Sequence, residues 1–255
     1  MKKLLSLTIL ALAVSAPMFA QHTPRVANEG FASDFQTLPV VTTVQGVGST
    51  FQSYVSIFNP TSSAYSVTAT FYDNTGTSKT AQINLAAGQV KTYDNFLTEL
   101  FGLSNTAGSV TFSSPNSTGG QHNNRFIIDS EIWTGGGTRY GQSIPALEFA
   151  GTSSRSFAPG ISVDSSRRSN AGCFNQSDST NTVKISVLDS TGQTTVGSTT
   201  LTLAPHAWGQ TSLSAFVVTN GIAQFDPSDN AVCYAVVVLN ATNDGRFITS
   251  SEYQP

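Results

Sequence analysis

The sequence predicts an all-β chain in which one sandwich-forming module is used twice. Three observations carry this. The first is an internal repeat. Phe58-Asn59 is matched by Phe174-Asn175, and Phe71-Tyr72-Asp73-Asn74-Thr75-Gly76 by Val187-Leu188-Asp189-Ser190-Thr191-Gly192, at a constant offset of 116 residues. Between these anchors Val67 and Ala69 fall on Val183 and Ile185. So long a period marks a duplicated domain, since solenoid repeats recur every ~20–50 residues. The second is a succession of short β-type runs punctuated by turn residues, with almost no helical periodicity. The third is composition: charged residues are 11% of the chain, against about a quarter in typical soluble domains. Ser and Thr together make up roughly a quarter of the residues, so hydroxyl groups stand where charges would on the wet faces of strands. Two copies are too few for a β-propeller, and a jelly roll would not repeat in this way.

Residues 1–20 read as a secretory leader. Lys2 and Lys3 precede a short apolar run, Leu4–Val14, which is too short to span a bilayer as a helix. Pro17 interrupts the run and Ala20 offers the small residue before a cut at Gln21, with Met18 an imperfect third position upstream. No cysteine follows the cut, so no lipid anchor is expected, and no later stretch is apolar enough to cross a membrane as a helix. Residues 21–38 read as an irregular arm whose Phe31 and Phe35, with Val40 beyond, have the character to donate a strand to a neighbouring molecule.

Module one is expected over residues 39–147. Its strands are Pro39–Val44, Phe51–Phe58 (stopped by Asn59-Pro60), Tyr65–Tyr72, Gln82–Leu85, Ser109–Phe112, Arg125–Asp129 and a run near Ile132-Trp133. Tyr65–Tyr72 alternates apolar and hydroxyl residues, so one face is buried and one wet. Asp73–Gly76 is a turn in which Gly76 is free to take positive φ. A short helix begins at Asp94 or Asn95, shares Phe96, Leu97, Leu100 and Phe101 on one face, and stops at Gly102. Gly135-Gly136-Gly137 reads as a turn. Residues 148–156 form the junction. Module two runs over 157–255, with strands at Ala171–Asn175, Asn181–Leu188, Thr199–Leu203, Ile222–Phe225, Ala231–Asn240 and Arg246–Ser250. Leu213–Val218 is the expected counterpart of the helix, and Asn243-Asp244-Gly245 is a hairpin signal.

Catalytic chemistry is thinly represented. The nucleophile-elbow, zinc-protease, phosphate-loop and dinucleotide-binding motifs are absent. Of three histidines, His22 adjoins the leader, His122 lies in a Gly/Asn loop and His206 follows Ala204-Pro205. Cys173 and Cys233 are the two cysteines. Aligned on Ile57 and near Phe126, both face a core, and a secreted chain oxidises such pairs. We expect a bond between the two sheets of the second sandwich, closing a long loop worth about 4 kcal/mol in the chain-entropy model. That pairing claims Cys173 before any thiol–imidazole pair with His206. No metal site or cofactor is expected: there is no CxxC and no Cys–His spacing, and Asn240–Gly245 lacks a carboxylate at Ser251 where a calcium loop needs one. Asp226–Asn230 reads as a loop. A net charge of −3 and the absence of a basic stripe exclude nucleic acid as a natural partner.

Four residues are candidates for ligand contact. Asp129 and Glu131, two apart on a strand, share a face; they have the makings of a glycosidase pair or of calcium ligands, though such a pair is more often a solvated strand face. Trp133 aligns with the turn-proximal Asn240 and so is expected to be exposed, with Tyr140 nearby; exposed aromatics stack on sugar rings. Trp208 aligns with Val90 and is expected to be buried.

The Phe58-Asn59-Pro60 turn, the Phe71–Gly76 hairpin, the Leu85–Phe96 stretch LAAGQVKTYDNF, the closing Thr138–Leu147 stretch TRYGQSIPAL and the second-copy LAPHAWGQTSL at 203–213 together resemble the tandem immunoglobulin-like modules of secreted bacterial proteins. The resemblance covers residues 39–255. It implies two Ig-like β-sandwich domains related by duplication, one short helix in each, in a protein secreted to the periplasm or surface of a bacterium. It implies a structural or binding role in adhesion, surface assembly or recognition, with a protein or glycan partner or self-association, and no catalytic residues. Carbohydrate binding through Trp133, or hydrolysis by Asp129 and Glu131, are the alternatives.

Overall fold

The computed structural model describes residues 32–46, 49–115, 124–135, 140–148 and 151–252. The leader (1–20), residues 21–31 of the arm, His22, His122 and Gly136-Gly137 lie outside them.

Among the described residues the chain is all-β apart from one short helix. In the first half the elements are β1 (Phe35–Gln45), β2 (Thr50–Phe58), β3 (Tyr65–Tyr72), β4 (Ser78–Leu85), β5 (Val90–Tyr93), α1 (Phe96–Phe101), β6 (Thr106–Ser113), β7 (Ile127–Thr134) and β8 (Tyr140–Ser143). They pair in the order β4-β3-β6-β1-β2-β7-β8, with β5 also on β2. The second half contains β9 (Ser156–Val163), β10 (Arg167–Asn175), β11 (Asn181–Leu188), β12 (Thr195–Leu203), β13 (Trp208–Ser212), β14 (Val218–Pro227), β15 (Ala231–Leu239), β16 (Gly245–Thr249) and β17 (Ser251–Glu252). Here there are two sheets, β13-β10-β15-β16 and β12-β11-β14-β9-β17, all neighbours antiparallel.

Each of β1–β8 has a counterpart eight strands later with the same neighbours. Registers agree as well: Ile57 lies opposite Ile128 as Cys173 lies opposite Cys233, and Phe58 opposite Val90 as Phe174 opposite Trp208. The difference is in β1. It pairs with β6 and then, after a register shift between Leu38 and Val41, ends on β2 through Thr43–Gln45, so the first half counts as one continuous sheet. Within each half the strands enclose a shared core. Val55, Ile57, Phe71, Phe112 and Ile128 lie in the first, with Phe96, Leu97 and Phe101 of α1; Ile161, Val183, Ile185, Phe225 and the cysteines lie in the second. Burying a side chain of the Val–Phe class contributes about 1.5–3 kcal/mol.

Two repeated polar devices hold the turns. Asn59 and Asn175 are each fully buried. The Asn59 amide donates to the carbonyls of Ser63 (2.8 Å) and Ala86 (2.9 Å), and its oxygen accepts from the amide and hydroxyl of Thr61 (2.9 and 2.8 Å). Asn175 donates to Ser179 and Ala204 (both 2.8 Å) and accepts from Ser177 in the same way (3.1 and 2.9 Å). One side chain thus ties three chain segments, and each buried group it satisfies would cost about 1–3 kcal/mol if left unpaired. At the β3–β4 and β11–β12 hairpins, Asp73 and Asp189 accept from Thr75 and Thr191, backbone and hydroxyl alike, ahead of Gly76 and Gly192 at positive φ. The β15–β16 turn at 240–244 likewise forms where Asn243-Asp244-Gly245 signals it, with Asn243 at φ 62°.

Several expectations are corrected. The disulfide forms, but Cys173 and Cys233 sit directly opposite one another on adjacent strands of one sheet, with Cα atoms 4.1 Å apart. It staples β10 to β15 and does not join two sheets. The misplacement follows from the immunoglobulin-type bond between facing sheets; here the two strands are hydrogen-bonded neighbours in one sheet, and Cys233 matches Ile128 rather than Phe126. The second helix is absent: residues 213–217 form a turn in which Ser214 N–H bonds the Ser212 hydroxyl and Phe216 N–H the Leu213 carbonyl. Hydroxyl side chains that capture their own backbone, followed by Val217-Val218, disfavour helix. In α1, Asn95 is the N-cap residue, yet its side chain makes no capping bond; Glu99 reaches back to the Asn95 N–H instead (2.8 Å), and Gly102 closes the helix at φ 63°. Finally, β1 begins at Phe35, inside the stretch read as an irregular arm. Phe35–Leu38 and Val41–Thr43 pair with β6 of the same chain, so these residues are committed at home and not donated.

The halves dock asymmetrically. The sheet β13-β10-β15-β16 turns one face to its own core and the other to the first half, where Tyr234, Val236 and Val238 join the first half's apolar cluster with Trp208 and Phe247 packed against it. At one flank the β3–β4 hairpin meets the turn before β13. Tyr72 packs on Phe174 and on His206 (ring centroids 5.4 and 5.7 Å), and Trp208 N–H donates to the Asp73 carbonyl (3.0 Å). A Cβ at Gly76 would strike the Pro205 carbonyl, so this contact requires glycine. At the other flank β8 meets β16.

Candidate functional site

The same face of the equivalent sheet in the first half carries exposed and half-buried residues. On β7 the buried residues Ile128, Ser130, Ile132 and Thr134 alternate with Asp129, Glu131 and Trp133, which therefore share the opposite face. Register builds that face outward. Trp133 lies opposite Gln52, Glu131 opposite Tyr54, and Asp129 opposite Ser56, which in turn lies opposite Thr92 of β5. Ile127 lies opposite Phe58, and Phe58 opposite Val90, whose side chain is 54% exposed. The surface reads along the strands as an apolar end (Phe58, Val90, Ile127), an acidic middle (Asp129, Glu131) and an aromatic end (Tyr54, Trp133). Its length is ~20 Å at the rise of a β-strand. The Trp133 indole N–H donates to the Asp94 carbonyl (3.4 Å), which leans the ring across the sheet.

Three of the four predicted contact residues are thus brought together; Tyr140 is not. It lies opposite the buried Thr134, and directly opposed residues share a face, so Tyr140 belongs to the other side from Trp133. Tyr54 takes its place beside the acidic pair. Asp129 and Glu131 stand on an open sheet face rather than in a cleft. Gly141 lies under the Glu131 side chain: a Cβ there would collide with the carboxylate.

The remaining candidates resolve as follows. Trp208 is half-buried between the halves, its indole donating to the Tyr234 hydroxyl (3.1 Å), which donates to Gln210 Oε1 (3.0 Å). Tyr234 is fully buried, and burial lifts its phenol far above the usual range, the Trp208 hydrogen bond opposing only in part. Gly172 is the position over which its ring lies; a Cβ there would collide with it. His206 Nε2 pairs with Asp178 Oδ1 at 2.8 Å, and Cys173 is oxidised, so the two do not form a catalytic couple. The 226–230 loop is organised by buried Asn181, whose oxygen accepts from the Ser228 and Asp229 amides (3.1 and 3.3 Å) and whose amide donates to the Asp229 carbonyl (2.7 Å). Among the described residues, no group of three His, Cys, Asp or Glu side chains converges as metal ligands. No helix among them is long and apolar enough to cross a membrane.

No family model matches the chain, and no curated protein matches it in sequence.

Proposed function

We propose that this is a secreted, non-enzymatic recognition and assembly protein of the bacterial surface, built from two Ig-like β-sandwich modules that arose by duplication. The matched strand order, the matched registers and the two buried asparagines support the duplication. The observation that carries the function is the unequal use of one face. In the second half it is a protein-docking surface, packed against the first half through Tyr234, Val236 and Val238. In the first half its counterpart bears Asp129, Glu131 and Trp133 beside half-buried Tyr54 and Phe58. A face whose twin binds a β-sandwich edge, with aromatic anchors and a charged middle, has the make-up of a protein interface.

The test is binding of the purified protein to intact bacterial cells and to their extracted surface proteins, with a Tyr54→Ala, Trp133→Ala double variant. Loss of saturable binding with an unchanged melting temperature supports the proposal; undiminished binding by the variant contradicts it. Glycan recognition is the second reading, favoured by the placement of Trp133 and Tyr54 beside two carboxylates, groups that stack on and hydrogen-bond a sugar. Binding confined to a glycan array, and lost in the same variant, selects it.

A further inference from the structure

Between the halves lies a cavity of about 380 Å³, within the ~300–1,000 Å³ range of small-molecule sites, which favour domain junctions. Both halves build it. Val44, Phe51 and Ile132 form an apolar wall from the first, and Val236 and Val238 face them from the second. Against this wall stand polar groups that the fold leaves unsatisfied. Thr42 is 5% exposed, and its hydroxyl has no hydrogen-bond partner; the buried Gln142 Oε1 has none either. Both residues line the cavity. Both atoms are themselves sealed from solvent, so what the cavity offers a ligand is its apolar wall and the charge at one end.

The cavity also has a polarity along its length. Arg168 lies opposite Val238, and Val238 opposite Gly245, in one row across β10, β15 and β16. Gln142 abuts Gly245 from the other side, so the guanidinium and the unsatisfied amide oxygen share one end of the cavity. Arg168 bonds the neutral oxygens of Asn240 (3.1 Å) and Asn243 (2.8 Å) rather than a carboxylate, and these hold it in place with its charge uncompensated by them. Toward the far end, Gln210 lies four residues along the strand and Trp208 six, or ~13 and ~20 Å away.

We infer that this junction is a binding site for a small amphiphile with an elongated apolar body and an anionic head, the head at Arg168 and the body along the valine wall toward Trp208. It is independent of the open face: neither Asp129, Glu131 nor Trp133 lines it. The class is set by the chemistry present. An apolar lining rejects a strongly hydrated ligand, and a forked cation held by neutral acceptors suits a carboxylate or similar anion.

The experiment is calorimetric titration of the purified protein with decanoate and with its neutral analogue decanol, each below its aggregation threshold. The expected result is one saturable site, with decanoate at least about tenfold tighter than decanol. Arg168→Gln should erase that preference by bringing decanoate affinity down to that of decanol. Ala107 lines the cavity, so Ala107→Phe should abolish both by filling it; should that variant fail to fold, Ala107→Leu should weaken both. No saturable binding of either probe, or binding undiminished by a folded cavity-filling variant, would overturn the site. Equal affinity for the two probes would overturn the assignment of an anionic head.

Discussion

Two faces of this molecule occupy equivalent places in the two halves and have opposite fates. On β7 the outward residues are Asp129, Glu131 and Trp133; at the matching positions of β15 they are Tyr234, Val236 and Val238. The strand bearing the first set alternates between buried and accessible positions, whereas Ala231–Val236 is buried without interruption. A strand covered on both sides reads as a continuous apolar run, and a strand with one wet side alternates. The comparison teaches that two faces with the same strand order and register meet different surroundings: one is packed inside the chain and the other carries charge. The other carries aromatic side chains beside two carboxylates.

The sharpest way to break the comparison is to exchange chemistry between the matched positions. Val236→Asp places a carboxylate in the docked face and should cost about 3–5 kcal/mol in urea unfolding, because an unpaired charge is buried. The mirror change Glu131→Val should move stability by no more than about 0.5 kcal/mol, the usual range of a surface substitution. The disulfide comes next. Replacing Cys173 and Cys233 together by Ile, which recreates the Ile57–Ile128 pair of the first half, should cost about 2–4 kcal/mol by freeing the unfolded chain. A loss confined to denaturation of the second half would sharpen the contrast further. The repeated asparagines sharpen the likeness instead: Asn59→Ala and Asn175→Ala should each destabilise by about 2–3 kcal/mol, since each strands several buried backbone groups. Equal losses are expected because the bonding patterns agree.

A subtler difference lies in alkaline behaviour. Burial lifts Tyr234 well above its ordinary value of 10.0 and Tyr65 to about 12, the latter donating to the Arg125 carbonyl (2.6 Å). Below pH 10 these phenols are neutral whether the chain is folded or not, and their contribution is fully present. Above it the unfolded chain ionises while the folded chain cannot, so stability falls as pH rises toward the folded values. Tyr234→Phe should therefore flatten the fall in melting temperature between pH 10 and about 12, and Tyr65→Phe should flatten it less, because Tyr65 is only partly buried.

The repeat anchors were legible because both are constrained by side-chain bonding. Asn59 and Asn175 tie loops, and Asp73 and Asp189 tie hairpins, so their identities persist in both copies. β5 and β13 were missed because each is four or five residues long and carries no alternation that a short window can resolve. The cross-strand disulfide was misread because the immunoglobulin-type pattern joins facing sheets, whereas nothing in the sequence shows that β10 and β15 are neighbours; separately, the loop before β7 is longer than that before β15, and a two-residue slip moves Cys233 from Ile128 to Phe126. The same slip set Trp133 against Asn240 instead of Val238 and hid the contrast between the two faces. Asp129, Glu131 and Trp133 could be placed on one face from strand period alone. Their neighbours Tyr54, Phe58, Val90 and Ile127 could not, because membership of that face depends on which strands pair. The asymmetry of docking has one trace in sequence, the unbroken apolar run of β15, which marks a strand without a wet side.

The most direct test of the unequal faces is thiol labelling of two single variants, Asp129→Cys and Tyr234→Cys, in the native protein. These positions are equivalent in the two halves, and the native disulfide leaves no other thiol to react. The account predicts rapid maleimide modification at position 129 and protection at position 234 that is lost only on unfolding. Comparable rates at the two positions in the folded protein would contradict it.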